Sequence, residues 1–168
     1  MRSGSATRWW ATKARQFFGH LGARVLPEER AALGSWLTQA QLALFDRMHV
    51  ADRRHGLDVA ASLRGQGVTD PDVLLAGLLH DAGKGETGVW PRVAWSLGQA
   101  WGEWVWRGAS RLPGMSASLD RLRNHPAISA DLAAAAGCSA RTVELIRHQD
   151  TPHDPEFGEL LRLADEAN

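Results

Sequence analysis

From Pro27 to the final residue, apolar side chains recur at helical spacing in one segment after another, and no stretch alternates as a strand does. That pattern restricts the chain to an all-α fold, a compact helical bundle. A Pro27-Glu28-Glu29 start leads a helix through Trp36 and Leu37. The next is expected from Thr38 to Leu63, with Leu44, Phe45, Met48, Ala51, His55, Val59 and Leu63 on its buried stripe, and Gly65 and Gly67 end it. Asp70-Pro71 is a capping residue followed by proline at the first helical position, and this helix is expected to reach Ala82.

Residues 88 to 112 are helical in spacing but aromatic on more than one side, with Trp90, Trp95, Trp101, Trp104 and Trp106. Asn124-His125-Pro126 is expected to open a helix that Gly137 stops. Ser139 caps the segment ending at His148, and Asp154-Pro155 starts the last helix. Residues 27–168 therefore form one domain. Ahead of it, residues 1–26 hold a basic amphipathic helix over residues 5 to 23, with Trp10, Ala14, Phe17 and Leu21 on one side and Arg8, Lys13 and Arg15 around them. Such a helix docks on its own core, on a protein partner or peripherally on a membrane surface.

With 168 residues, one domain can bury a sizeable core, and 19 basic against 19 acidic residues leave no net charge. That balance argues against a general nucleic-acid binder. The single cysteine, Cys138, excludes an internal disulfide and a thiolate metal cluster. No signal peptide is evident and no apolar run reaches membrane-spanning length, so a cytoplasmic location is expected.

Against this apolar framework some polar residues stand in the wrong places. His55 lies on the stripe that must be buried, where a lone histidine is more often a satisfied core residue than a ligand. His80 and Asp81 follow Leu74, Leu75, Leu78 and Leu79, about 100° apart on a helix edge. Asp165 lies a turn beyond Leu161 on the core side of the last helix, where a carboxylate is costly unless paired or metal-bound. Imidazole and carboxylate together suit Fe, Mn, Zn, Co or Ni, while carboxylate alone leans toward Mg or Ca. His125, at a helix start, and His148, at a helix end, could join them as further ligands, although taken alone each reads more readily as a capping residue. Lys84, one turn past His80, is either a cation at a helix C-terminus or a charge for a phosphate oxygen.

The order His55, His80-Asp81, Asp165, with "RRHGLDVAASL", "LLAGLLHDAGKG" and "ADEAN" around them, resembles the HD-domain metal-dependent phosphohydrolases over roughly residues 43 to 168. "NHPAISADL" and "VELIRHQD" are similar to the additional ligand segments of the subgroups that bind two metals. The resemblance implies one ion on His55, His80, Asp81 and Asp165. It implies a second on Asp81, His125 and His148, with Asp81 bridging. Two ions about 3.5–4 Å apart can stabilise both the attacking and the leaving oxygen of a phosphoryl group. The absence of tyrosine, and hence of the Gly-Tyr-Pro signature, and the pair His148-Gln149 in place of His-His argue against cyclic-dinucleotide cleavage.

The implied activity is hydrolysis of a phosphate ester or anhydride in a phosphorylated small molecule such as a nucleotide. The alternative is a non-catalytic helical module that docks a partner through its Trp-rich surface.

Overall fold

A computed structural model describes residues 23–168, and the basic helix expected over residues 5 to 23 lies outside the described residues but for its last position. Among the described residues there are nine α-helices and no strand. The helices are α1 (Pro27–Leu33), α2 (Gln39–Arg47), α3 (Val50–Gly65), α4 (Pro71–Leu79), α5 (Val89–Trp101), α6 (Glu103–Ala109), α7 (Met115–Ala135), α8 (Ala140–Arg147) and α9 (Gly158–Ala167). None of them is long and apolar enough to cross a membrane.

α4 is the axis of the molecule. Asp70 accepts from Asp72 N–H at 2.9 Å, Pro71 takes the first position, and every residue from Val73 to Leu79 is buried. A helix apolar on all sides must be enclosed, and α3, α8 and α9 surround this one. The buried core runs through Phe45, Val59, Leu63, Leu78, Ile146 and Leu161.

At the α3–α4 crossing the backbones nearly touch. A Cβ on Gly56 would lie 2.3 Å from Leu78 O, which is backbone and cannot step aside. Gly56→Ala should therefore force the two helices apart and lower unfolding stability by about 2–3 kcal/mol, the upper range for overpacking. Urea denaturation reads it, and an unchanged midpoint would refute this packing.

Several expected elements differ. α1 stops at Leu33, and Trp36 and Leu37 lie in the following turns. The single helix expected over Thr38–Leu63 is two, because Met48 is extended (φ −69°, ψ 150°) and His49 Nδ1 caps α3 by accepting from Ala51 N–H at 3.3 Å. Met48, Ala51, Val59 and Leu63 are nonetheless all buried, so both halves serve one stripe. The helix after Pro71 ends at Leu79 rather than Ala82, and a short 3-10 turn covers Ala82–Lys84.

Residues 88 to 112 break at Gly102, whose φ of +102° suits only glycine, into the hairpin α5–α6. Trp106 stacks on Trp95 across it, centroids 4.6 Å apart. The last helix begins at Gly158, after a turn in which Asp154 accepts from Glu156 and Phe157 N–H.

Pro126 does not open a helix. It lies inside α7, eleven residues after its start. Lacking an N–H, it leaves the carbonyl four residues back, Leu122 O, without its helical partner. His125 fills that gap, with Nδ1 2.7 Å from Leu122 O.

Candidate metal centre

Four elements deliver the polar residues to one place. α3 carries His55, the end of α4 presents His80 and Asp81, α7 carries His125, and α9 carries Asp165. The 3-10 turn is pressed flat on α7: Gly83 N–H donates to Ser129 Oγ at 2.8 Å, and Arg121 Nε donates to Gly83 O at 2.9 Å. A Cβ on Gly83 would lie 2.5 Å from His125 O, so glycine permits this approach. The glycine after His80-Asp81 thus sets the distance between Asp81 and His125.

His55 donates from Nε2 to Asp165 Oδ1 at 2.7 Å. His80 Nε2 is 3.3 Å from the same oxygen and 3.5 Å from Asp81 Oδ1. His125 Nε2 is 3.4 Å from Asp81 Oδ1, and Lys84 Nζ is 2.6 Å from Asp81 Oδ2. One ligand atom each from His55, His80 and Asp165 lie within 4.8 Å of one another, which suits a single cation.

Two further observations fit a divalent ion. His80 Nε2 and Asp81 Oδ1 are buried without a hydrogen bond, since their ion-pair contacts lack hydrogen-bonding alignment. Buried polar atoms in native proteins are rarely left so. Moreover, His80 Nδ1 lies 2.9 Å from Gly77 O and donates to it, which leaves Nε2 as the atom turned to the carboxylates. A backbone carbonyl on one ring nitrogen is the usual support of a metal-binding imidazole.

The charges are mutually dependent. Burial pushes the His80 imidazole down, but the carboxylates of Asp81 and Asp165 outweigh it and raise it to about 9. Burial pushes the Asp81 carboxyl up, yet the charges of His80 and Lys84 hold it well below the usual range. Asp165 is held low in the same way, chiefly by His80 and His55 against the cost of burial. Lys84, disfavoured by burial, is raised by Asp81, Asp52 and Asp165. Without a metal, a proton on His80 therefore supplies the positive charge the carboxylates require.

That proton would compete with any cation offered to this site, so the affinity of the site for metal would depend on pH. A group raised from 6.5 to about 9 on folding stabilises the metal-free protein fully below pH 6.5, and the contribution is lost as pH rises through 9. The thermal midpoint of the metal-free protein should fall across that window. Metal affinity should rise about tenfold per pH unit over the same window, with release of a proton at neutral pH. Titration with metal in a weak indicator buffer checks this, and uptake without proton release would contradict it.

Of the sequence-predicted residues, His55, His80, Asp81, His125, Asp165 and Lys84 are brought together. His148 is not among them. Its Nε2 faces Glu144 Oε2 at 3.3 Å, and its ring stacks on His153 with centroids 3.8 Å apart, beside a surface cavity lined by Arg141 and Pro152. In its place Gln149, 6% exposed, brings its amide Nε2 to 3.0 Å from His125 Nε2. The adjacency His148-Gln149 was visible in the sequence, but which of the two faces inward depends on where α8 ends. No protein-family model, curated protein or solved structure matches the chain.

Proposed function

We propose that this cluster is the centre of a metal-dependent phosphohydrolase of the HD-domain type, acting on a phosphate ester or anhydride of a nucleotide-like small molecule. The observation that carries the proposal is the pair of buried, unbonded atoms His80 Nε2 and Asp81 Oδ1, flanked by His55 and Asp165. The chain order of these residues, His55, His80-Asp81, Asp165, supports it.

His55, His80, Asp81 and Asp165 would hold an ion of the Fe, Mn, Zn, Co or Ni type, or Mg. When bound, such an ion would supply Lewis acidity to a phosphoryl oxygen and lower the pKa of a water so that, on losing a proton, it could serve as the nucleophile at neutral pH. The chain's own residues do the rest. Asp81 and Asp165 supply the negative charge that retains the cation, and Gly77 O keeps His80 Nε2 directed at them. Lys84, 24% exposed beside Asp81, offers an ammonium to a non-bridging phosphate oxygen as charge develops there.

The test is turnover of p-nitrophenyl phosphate, its diester and a nucleotide panel by chelator-stripped protein, with each metal returned in turn. Activity that requires metal and is absent from His80→Ala supports the reading. Full metal occupancy with no turnover on any substrate refutes it.

One observation favours a second reading, a non-catalytic module that docks a partner. Trp90 is 77% exposed and Trp104 65% exposed, on a hairpin that adds no residue to the buried core. Large exposed apolar surface of that kind marks interaction sites.

A further inference from the structure

We propose that the centre takes one ion rather than two, and that Gln149 and Lys84 close the second position. This rests on the metal-dependent reading above and narrows it. A second ion of the kind the sequence resemblance implies would need His125, His148 and a bridging Asp81, and each is committed elsewhere.

Consider His125 first. Its Nδ1 donates to Leu122 O at 2.7 Å, the carbonyl that Pro126 leaves free, so its Nε2 carries the lone pair that a metal would use. Gln149 already points a donor at that lone pair, with Nε2 3.0 Å away. The amide cannot reverse without setting its oxygen against the same lone pair, and its orientation is thereby fixed. Gln149 Oε1 is left buried and unpartnered by this arrangement.

Asp81 is the second obstacle. A bridging carboxylate must offer one oxygen to each ion. Oδ1 faces His80 and His125, whereas Oδ2 carries the Lys84 ammonium at 2.6 Å. A dication placed on Oδ2 would meet that charge at contact distance, and like charges so close repel strongly in a partly buried site. His148 completes the case, since it engages Glu144 and His153 instead. The outcome is a mononuclear centre in which His125 is a hydrogen-bonding wall rather than a ligand.

The experiment is calorimetric titration of Mn²⁺ into the full, chelator-stripped chain, beside the double variant Q149H/K84A, which removes the cap and the competing charge and adds an imidazole. The wild type should take one equivalent and the double variant two. Two equivalents in the wild type would overturn the single-ion proposal and leave the phosphohydrolase reading standing. No binding by the wild type would overturn both. A folded double variant that still takes one ion would show that Gln149 and Lys84 are not what closes the position.

Should the double variant fail to fold, the wild type alone decides. On saturation with Zn²⁺, the ¹⁵N signals of His55 and His80 Nε2 should move to metal-bound positions while that of His125 stays. Movement of His125 would overturn the proposal.

Discussion

Asp81→Asn should abolish metal retention and lower the proposed phosphohydrolase turnover on the order of 10³-fold, the upper scale for removing one preorganised electrostatic group. The substitution keeps the shape and removes the charge on which two cations converge: His80 and Lys84, the latter at 2.6 Å. It should also destabilise the metal-free protein, because the ammonium of Lys84 and the imidazole of His80 lose their nearest carboxylate. Lys84 is raised and His80 is raised to about 9 in part by that carboxylate, so both should titrate lower in the variant. Elemental analysis, steady-state turnover and thermal unfolding read the three effects. An Asp81→Asn protein with full turnover and full metal content would refute the mechanism.

The largest effect on stability is expected beside the centre, at Asp52. Its side chain is 1% exposed and receives both terminal nitrogens of Arg92, at 2.6 and 2.7 Å. Burial lowers the Arg92 guanidinium, but hydrogen bonding to Asp52 outweighs that and raises it. Arg92 also donates to Thr87 O at 3.1 Å and to Gly85 O at 3.3 Å, so the pair ties the loop after Lys84 to α3.

Asp52→Ala would leave that largely buried cation without its counter-charge and should cost about 3–5 kcal/mol. Replacing both partners with apolar residues of similar size should cost much less, because no uncompensated charge remains. Denaturant unfolding of the two single variants and the double variant tests this. A single variant within about 0.5 kcal/mol of the parent, the range of ordinary surface substitutions, would show that the pair is not structural.

The parts of this protein legible in its sequence are those where local chemistry decides. Asp70-Pro71 and Ser139 start helices because their side chains accept from backbone N–H groups within three residues, at 2.9 and 3.1 Å. His55, His80, Asp81 and Asp165 stand out because each interrupts an apolar pattern, and the fold draws all four together. The break at Met48 was invisible because Met48 itself is buried and keeps the apolar rhythm across it. Pro126 misled for the opposite reason. Proline usually marks a helix start, but here the neighbouring His125 side chain satisfies the carbonyl that proline abandons. The inward position of Gln149 is not legible in the sequence because it depends on tertiary packing. With α8 ending at Arg147 and His148 at φ −108°, ψ 26°, the chain turns and presents the next side chain to α7.

The most direct measurement is anomalous diffraction at the zinc edge from crystals grown with Zn²⁺. A peak bonded at about 2.0–2.2 Å to His55, His80 and Asp165, with Asp81 completing the set, is the expected result. No peak among these residues at saturating zinc, or an ion seated elsewhere in the protein, would contradict a metal-dependent centre at this site.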